Sequence, residues 1–309
     1  MNKKIIVVML GVISLFSPAS YANDVKTGDI INVSLHELIP TQPSVGYDQI
    51  MYKLGRYQFD RKKMFDEVCE ANGQKGVKEV SDNAQPNIPS SFTCKLAVGK
   101  RKQDMKTVVI APDGDYYLTD GHHTFNVFYE MSEGGADFHI NVIVAKDYRG
   151  IKSMDKFWTQ MQKDGNTWLF DVNGNPIDYD QLPTSLGLKN FHNDLYRSLM
   201  YFTRGVSWNK PDKSVPFLEF YWSKEVRKKI DANTFDLNSK NGYAKAVKVV
   251  SDYILALDTD NVGGSGLSTK QMGQFKVYNT KAFNKLFKHD GKIDYLLSYK
   301  MASTNNRSQ

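Results

Sequence analysis

Lys106-Thr107-Val108-Val109-Ile110-Ala111, Pro112-Asp113-Gly114-Asp115, Tyr116-Tyr117-Leu118-Thr119 and Asp120-Gly121-His122-His123-Thr124 follow one another without interruption. The first and third groups are rich in β-branched and aromatic residues, and the Asp-Gly pair between them is a hairpin turn signal. The hairpin delivers its second strand directly to an acid, a glycine and two imidazoles. Beyond that turn, residues 125–131 carry helical spacing and stop near Gly134-Gly135, and Phe138-His139-Ile140-Asn141-Val142-Ile143-Val144 alternates as a strand. Interleaved strands and helices of this kind predict an α+β fold.

Working outward, Asp29-Ile30-Ile31-Asn32-Val33-Ser34-Leu35 reads as a strand and Leu38-Ile39-Pro40-Thr41-Gln42-Pro43 as a proline-bounded loop. Residues 47–70 read as one helix, with Ile50, Leu54, Tyr57 and Phe65 on a core-facing stripe. The second half turns helical, over residues 153–163, 194–203, 217–230 and 241–257, with a turn at Asn173-Gly174-Asn175-Pro176 and a loop at Gly263-Gly264-Ser265-Gly266. The expected organisation is a signal peptide over residues 1–22, a core over 23–150, a mainly helical extension packed on it over 151–302, and a flexible polar tail over 303–309.

The signal peptide is read from Met1-Asn2-Lys3-Lys4, an apolar run, and small residues before a cut after Ala22. It predicts an exported protein, periplasmic or secreted. No later stretch reaches the roughly 20 apolar residues of a membrane span. An oxidising compartment makes a Cys69–Cys94 disulfide the expectation, closing a loop rich in Gly, Asn, Pro and Ser. The composition, 41% apolar and 12% aromatic, excludes wholesale disorder. The net charge of +6 permits a phosphate-bearing or nucleic-acid partner, but Lys100-Arg101-Lys102 and Arg227-Lys228-Lys229 are short runs rather than a basic stripe.

At the turn, Gly121 lets backbone approach a ligand, the helix start offers unpaired amides to an anion, and Asp120, His122 and His123 supply proton transfer or metal ligation. The alternative is that Asp120 caps the helix and the histidines pack, one inward and one outward. Adjacent helical side chains diverge by about 100°, so a metal would need further donors such as His36, His139 or His192, and spacing fixes none of them. Thr41 and Gln42, at the end of an extended stretch, are candidate ligand contacts. Arg197 is a candidate anion fork, and a surface pair with Asp194 accounts for it as well.

As a set, Leu38-Ile39-Pro40-Thr41-Gln42, Val45-Gly46-Tyr47 and Leu118-Thr119-Asp120-Gly121-His122-His123-Thr124 resemble the putative ParB-like nuclease family, a branch of the ParB/sulfiredoxin superfamily. The likeness continues through Phe157-Trp158-Thr159-Gln160-Met161, Asp194-Leu195-Tyr196-Arg197-Ser198-Leu199 and Pro216-Phe217-Leu218-Glu219-Phe220-Tyr221-Trp222. The resemblance implies a small mixed-sheet core in which the histidine turn binds a nucleotide or another phosphate-bearing ligand. Phosphoester hydrolysis or phosphoryl transfer would use His123 as acid/base, with Asp120 orienting it or holding a divalent ion and the amides of Gly121 and Thr124 cradling phosphate. A nucleotide with Mg²⁺ is the cofactor the resemblance raises, without naming metal ligands. Three departures narrow it. Gly121 stands where sulfiredoxin's catalytic cysteine would precede the histidine, no arginine-rich phosphate motif or helix-turn-helix follows, and Gln42 occupies the place of the kinase branch's acid, leaving Glu37 nearest. A binding module without turnover is the alternative function.

Overall fold

The computed structural model describes residues 25–305, so the expected signal peptide and the last four residues of the expected tail lie outside the described residues. In chain order the strands are β1 (Ile30–Ser34), β2 (Leu38–Pro40), β3 (Ser44–Val45), β4 (Val77–Val80), β5 (Phe92–Cys94), β6 (Lys106–Ile110), β7 (Tyr116–Leu118), β8 (His139–Asp147) and β9 (His192–Asn193). The α-helices are α1 (Tyr47–Phe59), α2 (Arg61–Ala71), α3 (His122–Glu130), α4 (Met154–Lys163), α5 (Leu195–Thr203), α6 (Leu218–Arg227), α7 (Lys240–Ala256), α8 (Thr280–Phe287) and α9 (Lys292–Asn305).

A five-stranded mixed sheet runs in the order β1-β8-β6-β7-β2. The expected hairpin is present, with Val108 opposite Leu118 and Ile110 opposite Tyr116. Period-two alternation then sorts its residues between two cores. Val108 and Ile110 face α1, α2 and α3 together with Ile140, Val142 and Val144 of β8. Val109, Ala111 and Tyr117 face α4 through Phe157, Trp158 and Met161. A third core, built around the buried Trp208, Trp222 and Tyr243, holds the C-terminal helices, and α9 lies across α1. That crossing is close: a Cβ on Gly55 would sit 2.2 Å from the Tyr295 carbonyl oxygen.

Three elements depart from the sequence reading. Leu38–Pro40 is the edge strand β2, not a loop, and pairs in parallel with β7. Proline is tolerated there because an edge has ladder positions that need no N–H donor. The single helix expected over residues 47–70 is two, broken at Asp60 (φ −135°, ψ 83°). The break lets Ile50 and Leu54 on α1, and Met64, Phe65 and Val68 on α2, enter the same core from different directions. The helix α9 continues through residues 303–305, the beginning of the stretch read as a tail.

Cys69 on α2 and Cys94 on β5 form the expected disulfide, with Cα atoms 5.7 Å apart. It fastens the antiparallel β4–β5 hairpin, which lies within the segment read as a loop. Replacing both cysteines by alanine is expected to lower unfolding free energy by about 3 kcal/mol through loop-closure entropy. Urea denaturation of the double variant checks this. Among the described residues, no helix is long and apolar enough to cross a membrane.

Candidate functional site

Parallel pairing of β2 with β7 places the C-terminal ends of both strands side by side, so residues 41–46 leave the sheet next to residues 119–123. After Leu118 the backbone turns, with the Thr119 and Asp120 amides both donating to the Thr107 carbonyl at 2.9 and 3.4 Å. Gly121 follows at φ 112°, ψ 2° as the N-cap of α3. Only glycine suits the position, because a Cβ would also meet Lys106 Cγ at 2.7 Å. Gly121→Val is expected to cost about 2–3 kcal/mol from positive-φ strain plus this clash, measurable as a drop in denaturation midpoint.

The helix begins at His122, three residues before the expected start. Asp120 does not cap it: the Asp120 side chain is 63% exposed and pairs with Lys106 Nζ at 3.1 Å. The first backbone bond of α3 runs from Phe125 N to Gly121 O. The amides of His122, His123 and Thr124 therefore have no intrahelical acceptor and carry the positive end of the helix dipole.

Both imidazoles brace the neighbouring loop. His122 is buried, and its Nε2 accepts the Thr41 amide at 3.0 Å; His123 Nε2 accepts the Gly46 amide at 3.0 Å. An Nε2 that accepts an amide carries no proton, so each ring is the neutral Nδ1–H tautomer. Burial pushes the His122 pKa down to about 3, opposed weakly by Asp120. Burial, then the Arg197 charge and smaller contributions from His122, Lys53 and Lys210, holds His123 well below the ordinary histidine value.

Thr41, expected to contact ligand, is fully buried and has its polar groups engaged within the fold. Its hydroxyl donates to the Leu118 carbonyl at 2.6 Å, and its carbonyl accepts from Trp168 N and Thr167 Oγ1, each at 2.9 Å. These bonds make Thr41 a brace for the turn. Gln42 is buried too, with Nε2 donating to the Ser44 carbonyl at 2.7 Å, and it lines a cavity of about 490 Å³. Asp120, Gly121, His122, His123, Thr124 and Arg197 line the same cavity. Seven of the eight candidates other than the cysteines thus line one space, and Thr41 is the exception.

Arg197 reaches this cavity from α5. It is not in a surface pair: Asp194 is buried, caps α5 by accepting the Arg197 amide at 3.1 Å, and lies 3.5 Å from Arg227. Burial lowers the Arg197 pKa from its usual value. Its Nη1 donates to Gln49 Oε1 at 3.1 Å, its Nη2 is 3.8 Å from Glu219, and its guanidinium carbon lies 5.7 Å from the Phe220 ring centre. Its buried Nε has no hydrogen-bond partner among the described residues.

Sequence reasoning missed Arg204, Lys210 and Glu219. Arg204 Nη1 and Lys210 Nζ stand 3.5 and 3.8 Å from the Glu219 carboxylate. Burial raises the Glu219 pKa, but Arg197, Lys210 and Arg204 together hold it below the usual carboxylate range. Arg197 lies on α5, whereas Arg204 is the extended residue that ends it (φ −62°, ψ 127°), so no helical spacing in the sequence announced the pair. The cavity wall carries Lys106, Arg197, Arg204 and Lys210 against Asp120 and Glu219, an excess of positive charge. Among the described residues, no group of three or more His, Cys, Asp or Glu is disposed to hold a metal ion.

Among proteins with curated descriptions, none matches this chain. Among solved structures, it is similar to the crystal structure of protein Atu1540 from Agrobacterium tumefaciens, with a TM-score of 0.50 and 21% identity, covering 73% of this chain and 92% of that one. That likeness extends to the fold alone. The family model described as Putative ParB-like nuclease matches residues 31–228, more than half of the chain and every residue of the cavity wall discussed above. The chain therefore belongs to the putative ParB-like nuclease family.

Proposed function

We propose that the cavity at residues 120–124 binds a phosphate-bearing ligand, a small phosphoester or a nucleic-acid phosphate. One observation carries this reading: a buried arginine, Arg197, lines a cavity with a cationic excess while its Nε has no hydrogen-bond partner among the described residues. A buried donor left without an acceptor costs about 1–3 kcal/mol, and an anion at that place would relieve it. The first-turn amides of α3 supply the complementary end of the site.

In this reading His122 and His123 are neutral braces rather than proton carriers. Their Nε2 atoms fix residues 41–46 against α3, and His123 offers Nδ1–H to the ligand. Asp120 is then the acid of the turn that remains for phosphoester chemistry, and Lys106, at 3.1 Å from it, would neutralise charge on the ligand. The occupied imidazole nitrogens favour binding without turnover as the second reading. The exported location, read from residues 1–22, belongs to the same proposal and sets the ligand outside the cytoplasm.

Calorimetric titration with inorganic phosphate, followed by single-stranded DNA and an aryl phosphodiester with and without Mg²⁺, tests the proposal. Phosphate binding is expected. Asp120→Asn is expected to lower any phosphodiester turnover by about a hundredfold, the upper part of the usual range for a general acid/base, while phosphate affinity stays within about threefold. Turnover unaffected by this variant would remove Asp120 from the chemistry.

A further inference from the structure

A second cavity, of about 650 Å³, lies next to the anion cavity along residues 214–217. Its apolar wall is formed by Val215, Pro216, Phe217, Tyr221 and Leu267. The two spaces adjoin: Gly165, Ser214, Val215, Pro216 and Phe217 border both. Pro216 comes so near Gly165 that a Cβ there would stand 3.4 Å from Pro216 Cγ. Consecutive residues at the start of α6 divide between the sides, Phe220 lining the anion cavity and Tyr221 the apolar one.

Phe217, which faces both, has φ 53° and ψ 27°. Bulky residues avoid this left-handed conformation, and where they hold it against the local preference the place is commonly a ligand site. Its ring centre lies 5.7 Å from that of Trp168 and 6.2 Å from that of Phe220, so the shared edge is backed by a packed aromatic cluster. A cationic pocket and a more apolar pocket that adjoin along the same five residues are complementary to a molecule that carries both characters.

We propose that the ligand is amphipathic, with its phosphate in the cationic cavity and a hydrocarbon group, alkyl or aryl, passing over the shared residues Gly165 and 214–217 to lie against Val215, Tyr221 and Leu267. This rests on the phosphate reading above and specifies its substrate class. The test is calorimetry on the full chain with inorganic phosphate, glycerol phosphate, phenyl phosphate and octyl phosphate. The two hydrocarbon esters are expected to bind about tenfold or more tightly than glycerol phosphate, through apolar burial.

Gln162, exposed on α4, lines this second cavity, whose rim also carries Lys163 and Lys213, and it does not line the anion cavity. Gln162→Trp, which fills that space, is expected to remove the tenfold advantage and leave inorganic phosphate affinity within about twofold. Leu267→Asp provides a second variant that repels hydrocarbon by charge instead of volume. Equal affinity for all three esters, or a hydrocarbon advantage that survives both substitutions, overturns the amphipathic ligand while leaving the phosphate site intact. Failure of every phosphate compound to bind overturns both readings.

Discussion

Arg197→Met abolishes most phosphate affinity, with an expected loss of about a hundredfold or more in titration calorimetry. Removing one partner of a desolvated charge pair costs about 2–5 kcal/mol, and a hundredfold corresponds to about 2.7 kcal/mol. Met preserves much of the stem volume, and Glu219 keeps Arg204 and Lys210 within 3.8 Å, so the carboxylate is not left unpaired. Arg197→Lys is expected to recover only part of the affinity, because an ammonium lacks the guanidinium's planar fork and its unpartnered Nε donor. Affinities within threefold of the parent for Arg197→Met would place phosphate elsewhere, if it binds at all.

Acidification weakens the fold through His122. That imidazole titrates near 6.5 when unfolded and near 3 in the fold, so as the pH falls the unfolded chain takes up its proton first. Its stabilising contribution is complete above pH 6.5 and is lost progressively between there and pH 3. At pH 4 the loss is about 3 kcal/mol, from 1.36 kcal/mol per unit over about 2.5 units. His123 is shifted in the same direction and steepens the decline. His122→Gln keeps an acceptor for the Thr41 amide but does not titrate. Denaturant unfolding at pH 7 and pH 4 should therefore show a stability drop about 3 kcal/mol smaller in the variant. Equal drops would mean that His122 is protonated within the folded protein well above pH 3.

The α+β class, the family and the β6–β7 hairpin were legible because their signals are local. The Asp113-Gly114 turn, the alternation through Val108, Val109 and Ile110, and the turn motif each lie within a few residues. The disulfide was legible from the cysteine number together with the compartment that residues 1–22 lead one to expect. The role of the histidines was not. Their acceptor state depends on amides 81 and 77 residues away, at Thr41 and Gly46, and those distances arise only when the short edge strand β2 pairs with β7. A three-residue strand ending in proline offers little pattern to distinguish it from a loop. The break at Asp60 has no glycine or proline to announce it and follows from packing both helices into one core. Arg204, Lys210 and Glu219 read in sequence as ordinary charges on helical or loop surfaces, and they become a cluster only when α5 and α6 come together.

The gap between a recognisable turn and a working site is therefore filled by tertiary contacts from outside the α+β core. Arg197, Arg204, Lys210 and Glu219 all come from the helical second half, and they supply most of the charge facing the turn. Gly121 and the amides of α3 provide a place for an anion, and the extension provides the cations that would hold it.

The most direct measurement is a crystal structure of the protein soaked in tungstate, a heavy tetrahedral oxyanion whose anomalous signal locates it without ambiguity. The expected result is one tungstate in the cavity, within hydrogen-bond distance of Arg197 Nε and of the first-turn amides of α3. Tungstate bound at other basic surfaces, with that cavity empty, would contradict the account.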